Sequence, residues 1–107
     1  MNVAWSPHAK SLYLDILAQI EDALSIEDAY RWRERILSDA NLLGLFPSLG
    51  SRIPDECFLT IPENADRLRQ FFCGPYRIVY EPIEDEIHIL SIRHSRMLVT
   101  AGDAIWN

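Results

Sequence analysis

Apolar residues recur at intervals of three and four from Ala9 to Leu43, and at intervals near two from Phe58 onward, so the chain divides into a helical first part and a strand-rich second part. Asn2 to Trp5 alternates and ends at Ser6-Pro7. Ser6 can accept from the orphan N–H groups of a helix, and Pro7 suits a first helical position. A short strand followed by a helix is expected. Ala9, Leu12, Ile16, Ile20 and Leu24 form the apolar stripe of that helix, widened by Tyr13 and Leu17, while Lys10, Asp15, Gln19 and Asp22 lie off it. Ser25 stands three residues before Asp28, a capping-box spacing, and opens a second stripe of Ile26, Ala29, Tyr30, Ile36, Leu37, Ala40 and Leu43 that runs to Gly44. So short a joint makes the two helices antiparallel neighbours, with Glu27–Arg31 and Arg35–Asp39 expected as i,i+4 pairs on the wet side.

After Leu45-Phe46-Pro47 and the Gly50 turn, β-rich pieces are expected at Phe58–Ile61, Leu68–Phe72, Tyr76–Tyr80 and Ile87–Ile92. Gly74-Pro75 closes one hairpin and the acidic stretch Pro82 to Glu86 the next, so consecutive strands run antiparallel. The nearly unbroken apolar run Ile87-His88-Ile89-Leu90-Ser91-Ile92 predicts a strand inside the sheet rather than on its edge. The fold class is α+β: an N-terminal strand and an antiparallel helical hairpin packed on a C-terminal antiparallel sheet. One domain is expected over residues 1–107, with a strand at 1–5, the hairpin at 7–44, the sheet at 55–94 and a tail at 95–107.

Charge refines this picture. Sixteen acidic residues against ten basic ones leave a net −6, which argues against diffuse binding to polyanions. Residues 1–66 hold eleven carboxylates and five cations, whereas residues 67–107 hold five of each, so the second part is freer to meet an anion. Nine of the ten cations are Arg, whose planar fork suits specific docking. The start lacks a basic then apolar leader pattern, and no segment nears the ~18 apolar residues that span a bilayer, so a cytoplasmic protein without membrane contact is expected. Cys57 and Cys73 lack C-x-x-C or zinc-finger spacing and are expected as reduced thiols, with no metal and no cofactor implied.

Several runs are familiar. Leu68-Arg69, then Gly74-Pro75-Tyr76-Arg77-Ile78-Val79-Tyr80, then Ile89-Leu90-Ser91-Ile92-Arg93-His94-Ser95-Arg96 together resemble the C-terminal signature of the RelE/ParE superfamily of toxins. Trp5-Ser6-Pro7-His8-Ala9 is similar to the opening strand and helix cap of that family. Leu45-Phe46-Pro47, Gly50 and Arg52-Ile53-Pro54 are similar to its passage from helix to sheet. The resemblance implies a small toxin of a type II toxin–antitoxin system, of the plasmid-stabilisation type, neutralised by a cognate antitoxin protein. RelE-like members cut mRNA on the ribosome; ParE-like members poison DNA gyrase through protein contact. Whether the chain is an enzyme therefore turns on its branch.

Metal-free RNA cleavage needs an acid–base group and cations on the phosphate. Arg77, which aligns with an arginine that ribonuclease members use near the scissile phosphate, His94 and Arg96 would supply them, Arg96 lying beside His94 if the last strand persists. Against that stand a single lysine, Lys10, no tyrosine after Tyr80, and the acidic residues Asp55, Glu56, Glu63 and Asp66 where ribosomal members are basic. Gyrase inhibition by protein contact is the preferred reading, the mRNA endonuclease the alternative, and an inactive member that only binds its antitoxin a second alternative. An Arg stripe of Arg31, Arg35, Arg52 and Arg69 is expected to meet antitoxin carboxylates, with the strand at Asn2–Trp5 a candidate edge for strand addition. Arg77 has two open roles, a bridge to Glu81 or an anion contact. His94 and His88 are expected as structural side chains, His8 as a solvated one, and Trp106 as packed back or covered by a partner.

Overall fold

The computed structural model describes residues 1–107. Its elements are β1 (Asn2–Trp5), α1 (Pro7–Ala23), α2 (Ile26–Leu45), β2 (Ser51–Arg52), β3 (Arg69–Cys73), β4 (Tyr76–Ile83) and β5 (Glu86–His94), with single 3-10 turns at Asp55–Cys57, Ala65–Arg67 and Ala101–Ala104. Ser6 caps α1 by accepting from the Ala9 amide at 3.0 Å, and Pro7 occupies its first turn. Ser25 caps α2 in the same way through the Asp28 amide at 3.0 Å. The caps leave one residue pair between the helices, which fold back on each other. No helix is long and apolar enough to cross a membrane.

The five strands form one sheet in the order β1-β5-β4-β3-β2. β3, β4 and β5 are joined by tight turns and run antiparallel, whereas β1 reaches β5 only after the chain has crossed the helices and pairs with it in parallel. β5 is thus interior, as its unbroken apolar run predicts. One face of the sheet carries Cys73, Ile78, Tyr80, Ile87, Ile89 and Ile92 against Ala9, Tyr13, Ile16 and Ile20 of α1 and Ala29, Ile36, Ala40 and Leu43 of α2. The other face carries Val79 and Leu90 beneath Ile53, Phe58, Ala65, Leu68, Val99 and Ala104. Two cores share one sheet, and the second is built from loops.

That second core accounts for the departures from expectation. Phe58–Ile61 is not a strand. Phe58 makes one parallel bridge to Val99 and the chain then turns out, with Leu59 and Ile61 exposed, because the 54–68 segment crosses over the sheet instead of joining it. Its backbone is satisfied by the C-terminal segment: the Val99 amide donates to the Cys57 carbonyl at 2.8 Å and the Leu59 amide to the Val99 carbonyl at 2.9 Å. Residues 95–107 are correspondingly ordered, with Asp103 and Ala104 buried in a 3-10 turn capped by Thr100. β4 runs through Pro82 to Ile83, leaving only Glu84-Asp85 as the turn. On the helices, Leu24 falls past the end of α1 as its exposed C-cap, and Ile26 and Tyr30 are also exposed, since the sheet covers only the central part of the hairpin.

Neither expected i,i+4 pair forms. The Ser25 hydroxyl donates to one Asp28 oxygen at 2.7 Å, leaving the other for Arg31, which pairs with Asp28 instead of Glu27. Arg35 lies over the Trp32 ring, 5.0 Å from its centroid.

Candidate functional site

Strand register decides which candidate side chains meet. Tyr76 stands opposite His94 and Arg77 opposite Arg93, and residues opposite one another share a face while neighbours along a strand do not. His94 therefore lies on the helical face at the end of β5, exposed, with its ring 6.4 Å from that of Tyr76. Arg77 lies on the other face. The two are not brought to one side of the sheet. The last strand also ends at His94, so Arg96 sits in a following turn, exposed, with its amide donating to His94 Nδ1 at 3.2 Å.

Arg77 is 7 % exposed, and its guanidinium has no carboxylate. Nε donates to Gln70 Oε1 at 2.9 Å, Nη1 donates to the Met97 carbonyl at 2.8 Å, and the plane lies over Phe72 at 5.6 Å. Glu81, the expected partner along the strand, is instead held by Arg67 at 2.9 Å. Of the two roles left open for Arg77, the bridge to Glu81 is not made.

The four arginines of the expected partner stripe fall into two pairs. Arg52 and Arg69 are opposite one another in β2 and β3. Arg52 makes an exposed pair with Asp66 at 2.8 Å, and Arg69 donates to the carbonyls of Gly50 and Ser48, tying down the turn before β2. Arg31 and Arg35 project from α2, and Arg35 approaches the β3–β4 turn at Gly74 beside Trp32. β2 covers only Arg69 and Gln70 of β3, so the outer edge of Phe71–Cys73 has no neighbouring strand. Arg52 and Arg69 stand at one end of this open edge and Arg35 at the other, while Arg31 pairs with Asp28 on α2. At the other border of the sheet, the start of β1 is closed on by α2, the N-terminal ammonium donating to the Gly44 carbonyl at 2.9 Å.

Cys73 and Cys57 are both free. Burial, together with the neighbouring Asp39 carboxylate, pushes the Cys73 thiol up to about 12, so it stays protonated and serves as packing, not as a nucleophile. Burial also raises Tyr13, whose hydroxyl has no partner, and Tyr76.

The buried charged group with the most hydrogen-bond partners is one that no candidate-site motif or periodicity singled out. Asp103, 1 % exposed, accepts from His8 Nε2 at 2.8 Å, from Arg93 Nε at 2.9 and 3.0 Å, and from the Thr100 amide at 3.0 Å. Burial alone would raise its carboxyl, but the bonds from His8, Thr100 and Arg93 outweigh that and hold it below the usual carboxylate range. His8 is accordingly a partner of the C-terminal segment and not the solvated side chain expected; its amide also donates to the Asn107 carbonyl at 2.7 Å. Thr100-x-x-Asp103 has capping-box spacing, which is the one signal in the sequence that pointed to this turn. Trp106 is half-exposed and packs its ring 4.7 Å from that of His88.

No metal-binding or nucleophilic constellation emerges from these side chains; what the surface offers is arginine, exposed apolar side chains and an open strand edge. The family model described as ParE toxin of type II toxin–antitoxin system, parDE, matches residues 3–99. Among solved structures, the chain is similar to one described as the chromosomal ParDE TA system from P. aeruginosa, with a TM-score of 0.70 and 20 % identity over 88 % of this chain and 95 % of that one. A comparison with curated proteins gave no match.

Proposed function

Since the chain belongs to the ParE toxin family of type II toxin–antitoxin systems, we propose that it acts in the cytoplasm on DNA gyrase, by protein contact, and is neutralised by a cognate antitoxin. The observation that carries this reading is the β4–β5 register, which sets Arg77 and His94 on opposite faces of the sheet. A ribonuclease needs its acid–base group and its phosphate-binding cations around one reacting atom, so that separation speaks against the mRNA endonuclease built from Arg77, His94 and Arg96. A protein-contact toxin needs only a shaped surface. The net −6 charge is also less of an obstacle toward a protein than toward the ribosome.

Purified protein added to gyrase and plasmid DNA is expected to accumulate cleavage complexes, and the same protein added to translating ribosomes to leave mRNA uncut. Codon-phased cuts without an effect on gyrase would establish the endonuclease instead. Absence of both, with no growth arrest on expression, would leave a chain that only binds its antitoxin.

For the antitoxin, the open edge of Phe71–Cys73, with Arg52 and Arg69 at one end and Arg35 at the other, supports addition of an extended acidic segment. Arg35→Glu combined with Arg52→Glu is expected to weaken antitoxin binding by about tenfold or more, with a reduced salt dependence, measured by titration at two ionic strengths. Unchanged affinity would remove the stripe from the interface. Arg69 is unsuitable for this test because it also holds the Ser48–Gly50 turn.

A further inference from the structure

The two borders of the sheet are guarded differently. On β3, Arg52 and Arg69 stand at one end of the open stretch and Arg35 at the other, so an antiparallel meeting of two copies there would set arginine against arginine. β1 has no such guard, since Val3-Ala4-Trp5 holds no charged residue and no proline, and its pairing with β5 is regular. In a parallel pair, alternate residues bond the neighbouring strand. The Asn2 amide donates to the Asp85 carbonyl at 3.2 Å and the Ser6 amide to the Ile89 carbonyl at 2.9 Å, which puts the main-chain groups of Ala4 on the β5 side as well. The N–H and C=O groups of Val3 and Trp5 therefore point outward, where no strand stands.

Such groups are a template for another strand, and here the template fits itself. With a two-fold axis at Ala4, an antiparallel second copy brings each Val3 opposite the other copy's Trp5, so every outward N–H meets an outward C=O. An axis at Val3 or Trp5 would leave half of them unpaired. The side chains agree with the central axis. Val3 and Trp5 are only partly buried against the helical core and would form β-branched–aromatic cross-strand pairs, while alanine meets alanine at the axis with nothing large enough to hold the strands apart. Exposed apolar side chains continue the surface, Leu45 at the end of α2 and Trp106 packed on His88, the residue opposite Ala4. Charge agrees too. The exposed Lys10 lies in the first turn of α1, past the end of β1, and the acidic turn Glu84-Asp85-Glu86 lies beside its start, so the antiparallel arrangement turns the cation of each copy toward the carboxylates of the other.

We propose that β1 is a self-pairing edge: two copies of this chain join β1 to β1, antiparallel about Ala4, and merge their five-stranded sheets into one. Both β3 edges stay free at the far ends of the merged sheet. The inference does not depend on which target the toxin acts on.

Sedimentation of the free chain is expected to give twice the monomer mass, with a Kd on the order of 10 µM, as for interfaces at the low end of the size range. Val3→Pro deletes an outward N–H without touching the groups that bond β5, and is expected to weaken the dimer by about tenfold or more. Where that variant folds poorly, Ala4→Cys carries the test. Directly opposed residues that do not exchange hydrogen bonds lie about 4.5 Å apart at Cα, within disulfide range. Mild oxidation is thus expected to give a covalent dimer linked at position 4, identified by peptide mapping, while the wild-type chain, with Cys73 buried and Cys57 half-buried, gives none. A wild-type chain that is still monomeric at about 100 µM overturns the proposal. So does a Val3→Pro dimer of unchanged affinity, or an oxidised Ala4→Cys sample in which the introduced thiols are not joined to each other. An antitoxin that blocks this linkage, yet binds the Arg35→Glu, Arg52→Glu toxin undiminished, would assign the β1 edge to the antitoxin instead of a second copy.

Discussion

Replacing Asp103 with Ala is expected to cost about 3–5 kcal/mol, enough to unfold much of a domain whose total stability lies around 5–15 kcal/mol. The carboxylate is buried and takes hydrogen bonds from α1 through His8, from β5 through Arg93 and from its own turn through Thr100. Its removal leaves a mostly buried guanidinium without a counter-charge and frees the segment that closes the second core with Val99 and Ala104. Urea unfolding monitored by Trp fluorescence would measure the loss, and a midpoint within a few tenths of molar of wild type would contradict it. The carboxylate also makes stability depend on acid. Because the folded-state value lies below the ordinary one of about 3.9, the contribution is fully present above the ordinary value and disappears as pH falls through the lowered one. Asp103→Asn should flatten that part of the pH–stability curve.

Gly50→Ala is expected to destabilise by about 3 kcal/mol or more, at or beyond the upper end of ordinary overpacking. A Cβ at this position would stand 2.4 Å from the Gln70 carbonyl oxygen and 2.7 Å from the Tyr80 hydroxyl. The first is backbone of β3 and cannot withdraw without breaking its pairing. The second belongs to a fully buried tyrosine whose hydroxyl accepts from the Gly50 amide at 2.9 Å and donates to the Pro47 carbonyl at 2.8 Å. Any shift that relieves the clash therefore breaks bonds that hold the passage from α2 to β2. Thermal denaturation would show it as a loss of several degrees or more, and antitoxin binding should weaken in parallel, since Arg69 takes its position from the Gly50 and Ser48 carbonyls. An alanine variant of wild-type stability would mean that the turn can be rebuilt, and with it the placement of Arg69.

The two sites differ in how visible they were beforehand. The turn at Gly50 was marked by its Pro and Gly punctuation, and Tyr80 by its place in an alternating strand, although nothing local said that its hydroxyl would reach back 30 residues to Gly50 and 33 to Pro47. The Asp103 cluster was nearly invisible. Its three partners lie at positions 8, 93 and 100, and His8 in particular reads as a solvated first-turn residue, because a helix start says nothing of what a distant segment will lay against it. The strand expected at Phe58–Ile61 failed for a related reason. β-rich composition marks a segment that prefers extended backbone, but whether that segment joins a sheet or crosses over it depends on which edge is still open when the rest has folded.

What the sequence determined by itself is whatever follows from periodicity, caps and tight turns: α1 and α2 and their starts, the antiparallel order of β3, β4 and β5, the interior place of β5, and through its motifs the toxin family. Those are local properties, set by the backbone and by neighbours within a few residues. Only the tertiary structure decided that β1 joins β5 in parallel, that loops and the C-terminal segment build a second core, that Arg77 is spent on Gln70 and Met97 instead of Glu81, and that Arg77 and His94 face opposite ways. Each of these depends on the pairing of residues far apart in the chain, and in a sheet a shift of one position exchanges its faces. Side-chain chemistry can be read from the residues, but the register chooses the company it keeps.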